Sequence, residues 1–165
     1  MKLYVIGPTG SGKSTLAKSL SKKHNIPSYE LDLLVYDDEN GHVKRPDKVR
    51  EEMFNKILRK KNWIIEDVGR ERFKKGREYA DVIYYIKLPK TKAYYRVIKR
   101  WIKQKLGIEK YNHPPTFKQL LYFISIVKSY YKNEKSKLKD LEEFKEKLVF
   151  VNKRKIKDIL KESKQ

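Results

Sequence analysis

The sequence predicts a three-layer α/β fold, a five-stranded parallel sheet with helices on both faces. Three observations predict it. Short apolar runs alternate with helical patterns along the whole chain, as parallel strands joined by crossover helices require. The first crossover carries GPTGSGKS at residues 7–14, directly after a strand pattern and before a helix pattern. The chain has 165 residues, 39% hydrophobic and 38% charged, which suits one globular domain with a real core and a heavily charged surface.

The elements follow in order. Residues 2–6 (KLYVI) are an apolar run ending at Gly7 and read as a buried strand. Residues 7–12 are a loop. In Lys13–His24, Leu16, Ala17 and Leu20 recur at helical spacing. Residues 28–32 (SYELD), after Pro27, read as a second strand. Residues 37–46 (DDENGHVKRP) are a polar turn region. Pro46 suits the first position of a helix, whose apolar stripe is Val49, Met53, Phe54, Ile57 and Leu58. Residues 62–67 (NWIIED) are the third strand, with acids at its C-terminal end. Residues 71–79 form a short polar helix. Residues 82–88 (VIYYIKL) are the fourth strand, stopped by Pro89. Residues 91–106 are a strongly basic helix and 107–115 a loop. Residues 117–139 read as one long helix with Leu120, Leu121, Ile124, Val127 and Tyr131 on or near one face. Residues 147–151 (KLVFV) are the fifth strand, and 153–161 a closing helix with Ile156, Ile159 and Leu160 inward. There is no repeat, linker or low-complexity segment, so residues 1–165 read as a single domain.

No apolar run approaches the roughly 20 residues of a membrane span, and MKLYVIG shows no apolar leader, so a cytoplasmic protein without a membrane partner is expected. The chain has no cysteine, which excludes disulfides, thiolate metal sites and cysteine nucleophiles. His24, His42 and His113 share no metal-ligand spacing and are expected to be structural or exposed. The formal charge is +20. That surplus admits two readings: a footprint for nucleic acid, or a solvated surface in which Lys and Glu are interleaved throughout.

GPTGSGKS fits G-x-x-x-x-G-K-[ST], a phosphate-binding loop (P-loop). Gly7 and Gly12 permit torsions and approaches that a Cβ would block. The backbone of Gly7, Pro8, Thr9, Gly10, Ser11 and Gly12 forms a concave anion nest, and the next helix adds the positive end of its dipole. Lys13 reaches the β/γ-phosphates, Ser14 ligates Mg²⁺, and Thr15 bonds an α-phosphate oxygen. ATP and Mg²⁺ are the expected cofactors. Other P-loop classes lack their marks here. Asn152-Lys153-Arg154-Lys155 has no Asp for a guanine reader, the stretch nearest to DxxG is Glu66-Asp67-Val68-Gly69, and the chain is short for most motor or AAA assemblies.

Glu66 and Asp67 end the third strand, where a carboxylate can hold Mg²⁺ through its water shell; the alternative is two acids opening a surface loop. Asp32 either orients an acceptor or caps a turn. Arg70 and Arg72 follow the third strand. Arg96 and Arg100, spaced i, i+4 in the basic helix, share a face and suit a mobile lid that stabilises a transferring phosphoryl group; a solvated basic surface is the alternative.

The run of IGPTGSGKSTLAKSLS, IPSYELDLL, WIIED, ADVIYYIKLP and RVIKRWI resembles the adenylate-kinase-like P-loop family known as DNA topology modulation protein, collinearly over residues 1–161. The resemblance implies strand order 2-3-1-4-5 and a lid over residues 91–116 with Arg96 and Arg100 at its base. Nucleoside monophosphate kinases of similar build carry an Asp-Gly-Phe-Pro-Arg-like stretch, where this chain has Glu66-Asp67-Val68-Gly69-Arg70. Arg70 then matches the arginine that grips the acceptor's phosphate.

The expected function is a kinase that passes the γ-phosphoryl group of ATP to a small acceptor. Lys13, Arg96, Arg100 and Arg70 are its catalytic set, Ser14, Glu66 and Asp67 its metal set, and Asp32 and Arg70 its acceptor set. The rivals are a nucleic-acid-binding P-loop ATPase and an ATP-sensing module without turnover.

Overall fold

The computed structural model describes residues 1–37, 43–109 and 115–161. In chain order the elements are β1 (Lys2–Ile6), α1 (Lys13–His24), β2 (Ser28–Glu30), α2 (Leu31–Val35), β3 (Tyr36–Asp37), β4 (Val43–Lys44) and α3 (Asp47–Leu58). Then come β5 (Trp63–Asp67), a 3₁₀ turn (Glu71–Phe73), α4 (Lys74–Tyr79), β6 (Val82–Ile86) and α5 (Lys90–Lys105). The chain closes with α6 (Phe117–Lys132), α7 (Glu134–Glu142), a second 3₁₀ turn (Lys145–Lys147), β7 (Leu148–Val151) and α8 (Lys153–Lys161).

The main sheet has the order β2-β5-β1-β6-β7, and every pairing in it is parallel. Counted among its own five strands, that is the expected 2-3-1-4-5. Alternation of side chains across the strands separates two cores. Leu3, Val5 and Ile64 point to the face covered by Leu16, Ala17 and Leu20 of α1. Tyr4, Ile6, Trp63 and Ile65 point to the other face, under α2, α3 and α7. A third cluster joins α5 to α6 through Ala93, Val97, Leu120 and Val127. β1 is central, so the strand order reverses beside it, and the crevice at its C-terminal end is where ligands of such sheets bind.

Several expectations need correction. β2 stops at Glu30, whose register partner is Glu66. Asp32 therefore lies in the first turn of α2 and not at a strand end. Leaving the edge strand early lets Leu31, Leu34 and Val35 bury themselves against the sheet. The long helix over 117–139 is two helices. Asn133 interrupts it by turning its Nδ2 onto the Ser129 carbonyl at 3.0 Å, an alternative partner of the kind that asparagine offers a helix backbone.

The stripe of α3 is also displaced. Val49 is 40% exposed, whereas Arg50, a charged residue, is buried. On α6, Leu121 is exposed and Leu120 and Val127 carry the packing. The polar turn region contributes an antiparallel ribbon, with Tyr36 opposite Lys44 and Asp37 opposite Val43. His42, His113, the remainder of residues 110–114 in the expected lid and the side chain of Leu160 lie outside the described residues. Among the described residues, no helix is long and apolar enough to cross a membrane.

Candidate functional site

The loop between β1 and α1 has the torsions its glycines were expected to supply. Gly10 and Gly12 sit at φ 76° and 96°, in the left-handed region that favours glycine. Gly7 is needed for space: a Cβ there would lie 2.9 Å from Ser11 Oγ and 3.2 Å from the Ile86 carbonyl oxygen. The first turn of α1 carries no acidic residue, so its dipole is left open to an anion.

Lys13 is 9% exposed, and its Nζ donates to the Pro8 carbonyl at 3.2 Å. Burial lowers its pKa, against the pull of Glu66. Ser14 Oγ donates to Glu66 Oε1 at 2.8 Å, joining α1 to the end of β5. Glu66 is 5% exposed, and its Oε2 is buried without a hydrogen-bond partner. Burial pushes its carboxyl pKa up, with Lys13 and Ser14 opposing. An ionisable oxygen left open beside a serine hydroxyl and a phosphate loop fits a hard, oxygen-seeking cation such as Mg²⁺. The group of Ser14 and Glu66 would hold it, directly or through water.

The two adjacent acids of β5 part company because side chains alternate along a strand. Glu66 shares the α1 face with Ile64. Asp67 turns to the other face, where its Oδ2 accepts from the Arg70 backbone N–H at 2.6 Å. The Arg70 guanidinium donates to both Asp67 and Asp32, linking the end of β5 to α2. Of the expected metal residues, the structure thus brings Ser14 and Glu66 together and places Asp67 with Arg70 and Asp32.

The two arginines expected at the base of a lid also separate. Arg96 donates to the carbonyls of Gly10 at 2.7 Å and Ser11 at 3.3 Å, so α5 is tied to the phosphate loop. Arg100 stacks on Phe123 of α6, 5.2 Å from the ring centre, and is not brought to the loop. Arg72 pairs with Asp47 at 2.9 Å. Thr15 is exposed at the start of α1.

Besides Arg50, two further cations were not singled out from the sequence. Lys137 of α7 donates to the carbonyls of Val68 and Gly69 at 3.1 and 2.7 Å. Buried Arg77 donates to the Arg70 carbonyl at 3.1 Å and to Glu71 at 2.8 Å. Together they hold the turn that presents Arg70. Among 41 Lys and Arg residues nothing local marks these two; the burial of Arg77 and the carbonyls that half-buried Lys137 meets do.

A protein-family model described as AAA domain matches residues 3–112. The chain belongs to that family. The match spans the phosphate loop, β5 and α5, and it shows a P-loop domain. Among solved structures, a gluconokinase from Sinorhizobium meliloti 1021 is similar, with 15% identity, 98% of this chain and 88% of that chain covered, and a TM-score of 0.58. A shikimate kinase from Bacteroides thetaiotaomicron has 14% identity, coverage of 98% and 95%, and a TM-score of 0.54. One from Aquifex aeolicus vf5 has 18% identity, coverage of 98% and 93%, and a TM-score of 0.50. At these identities the likeness shows a shared fold. No curated protein matches the chain by sequence.

Proposed function

We propose that this AAA domain family member is an ATP-dependent kinase of a small hydroxylated acceptor. The observation that carries the reading is the Ser14–Glu66 bond at 2.8 Å beside the phosphate loop, with Glu66 Oε2 left open. The folds of the gluconokinase and the shikimate kinases support a small-molecule acceptor. Neither the family match nor the solved structures show the DNA topology modulation family.

In this reading Lys13 leaves the Pro8 carbonyl to meet the β- and γ-phosphates, and the loop backbone cradles them. Mg²⁺, when bound at Ser14 and Glu66, neutralises charge on the phosphate oxygens. Arg96 stands at the loop and stabilises the transferring group, which requires exchanging its carbonyl partners for phosphate oxygens. Arg100 supports α5 from Phe123. The acceptor enters between α2 and the Arg70 turn. Asp32 orients its hydroxyl and takes the proton as the oxygen bonds to the γ-phosphorus. The bond from that phosphorus to the β–γ bridging oxygen breaks, and ADP leaves with the electron pair.

The test is ADP formation from Mg-ATP with a panel of hydroxy acids, sugar acids, nucleosides, nucleoside monophosphates, DNA and no acceptor. One small acceptor raising the rate, with loss in Lys13→Ala, supports the reading. Stimulation by DNA alone would replace it with the nucleic-acid reading. ATP binding without turnover in every mixture would leave a nucleotide sensor.

A further inference from the structure

We propose that α5 is a membrane-surface helix, which lays its outer apolar stripe onto an anionic lipid surface. The stripe contains none of the residues given a role in the kinase reading. A peripheral contact of this kind departs from the expectation of no membrane partner, which rested on the absence of a spanning segment and an apolar leader.

α5 has two apolar faces. One, with Ala93 and Val97, packs with Leu120 and Val127 of α6. The other carries Tyr95, Ile98 and Ile102, and Leu106 at the C-cap continues it. Their spacings of three, four and four residues put them on one side of the helix. All four are exposed, by between 38% and 68%, and so is Ile108 just beyond. A lone surface isoleucine is ordinary, but a row of large apolar groups at helical spacing marks a face that something covers. Among the described residues, eight of the fourteen exposed large hydrophobics lie between 95 and 122, so the exposure is concentrated on this part of the molecule. Helical spacing places Lys92 and Lys99 on one flank of the stripe and Lys105 on the other, all exposed. The Lys99 ammonium stands 5.5 Å from the centre of the Tyr95 ring.

Charge selects the occupant. α5 and α6 hold ten Lys or Arg and no Asp or Glu, so all 21 acids of the chain lie outside them. The +20 surplus is therefore segregated here, whereas elsewhere Lys and Glu interleave. A second copy of the chain would set these lysines against their own kind. Nucleic acid would pair with the lysines and leave the aliphatic row unused, since Ile and Leu neither stack on bases nor bond phosphate. An anionic lipid surface uses both. Its headgroups meet the lysines, whose stems run along the apolar row, and the stripe enters the boundary with the acyl chains. Arg96 leaves α5 on another side, toward the Gly10 carbonyl, so the stripe and the phosphate loop do not compete.

The whole chain is sedimented with vesicles of phosphatidylcholine, alone or with about one third phosphatidylserine. The anionic vesicles are expected to bind it. Neutral ones should bind about a hundredfold more weakly, because each of three flanking lysines gains about fivefold near an anionic surface. Ile102→Ser with Leu106→Ser should weaken binding about tenfold or more, as apolar area is withdrawn from lipid. Lys92→Gln, Lys99→Gln and Lys105→Gln together should cost about a hundredfold. Removing three exposed lysines from α1 and α3, as Lys22→Gln, Lys23→Gln and Lys56→Gln, should cost less than about threefold, since the attraction fades within a Debye length.

Equal losses from the two lysine sets would mean that net charge binds and this face does not. Unchanged binding in the serine variant removes the stripe. A wild type that ignores anionic vesicles overturns the proposal outright. If it then binds duplex DNA through Lys92, Lys99 and Lys105, the surface belongs to nucleic acid. If it dimerises and the serine pair breaks the dimer, the surface belongs to a second copy. The substituted side chains are exposed, and the contrast between the two vesicles needs the wild type alone, so a variant that fails to fold leaves the proposal decided.

Discussion

Lys13→Met separates what the loop lysine does for the fold from what it does for a nucleotide. The Lys13 ammonium is buried, and it makes one hydrogen bond, to the Pro8 carbonyl at 3.2 Å. Burial depresses its pKa below the ordinary 10.5, with Glu66 opposing. A base with a depressed folded pKa contributes stability above its unfolded pKa and loses it as pH falls through the folded pKa. At pH 7 the buried charge is therefore a cost. Methionine keeps the unbranched stem without the charge, and gives up a hydrogen bond worth about 1 kcal/mol. The two effects oppose, so the unliganded variant should melt within about 2–4 °C of the wild type at pH 7. Near pH 10 the wild type sheds its cost, and the difference should move in its favour.

Nucleotide reverses the comparison. Mg-ATP at a hundred times its dissociation constant adds about 2.7 kcal/mol to a protein that binds it, or about 5–11 °C for a domain of this size. The wild type should show that rise and Lys13→Met should not. Scanning calorimetry at both pH values, with and without Mg-ATP, reads all four numbers. A variant that loses more than about 3 kcal/mol of unliganded stability, or that keeps the ATP response, would refute the reasoning.

Glu66→Gln removes a carboxylate whose pKa burial raises. A raised acid contributes stability below its unfolded pKa and loses it as pH rises through the folded pKa. The unliganded variant should thus gain on the wild type from pH 4 upward, while Mg²⁺-dependent ADP formation is lost; a variant that keeps full turnover would remove Glu66 from the metal set. Gly76→Ala tests the core, since its Cβ would fall 2.6 Å from Tyr4 Cε2 and 3.0 Å from Phe54 Cζ. Urea unfolding should show a loss of about 1–3 kcal/mol, and no loss would mean the core yields there. Raising salt from 50 to 200 mM should change acceptor-dependent ADP formation little. A fall of about a thousandfold or more would mark contacts to six or more nucleic-acid phosphates and favour the rival reading.

The phosphate loop and the sheet were legible in the sequence because both depend on local pattern. G-x-x-x-x-G-K-S needs only its own backbone torsions and the helix that follows. Apolar runs of four or five residues between helical patterns admit few arrangements other than a parallel sheet. Even Glu66 and Asp67 could be picked out, since acids that end a buried strand stand at the edge where ligands bind.

What those residues do was settled by contacts distant in sequence. Ser14 meets Glu66 across 52 positions, and Arg70 meets Asp32 across 38. The i, i+4 spacing of Arg96 and Arg100 suggested one joint task, but α6 packs along α5 and draws Arg100 onto Phe123. Arg50, Arg77 and Lys137 look like the other cations of a +20 chain; burial sets the two arginines apart, and contacts to the Val68 and Gly69 carbonyls set Lys137 apart. Local pattern determined the loop, the strands and which residues could carry charge to the sheet's edge. Tertiary packing decided which of those charges lost their water, and a desolvated charge must find a partner, a ligand or a shifted pKa.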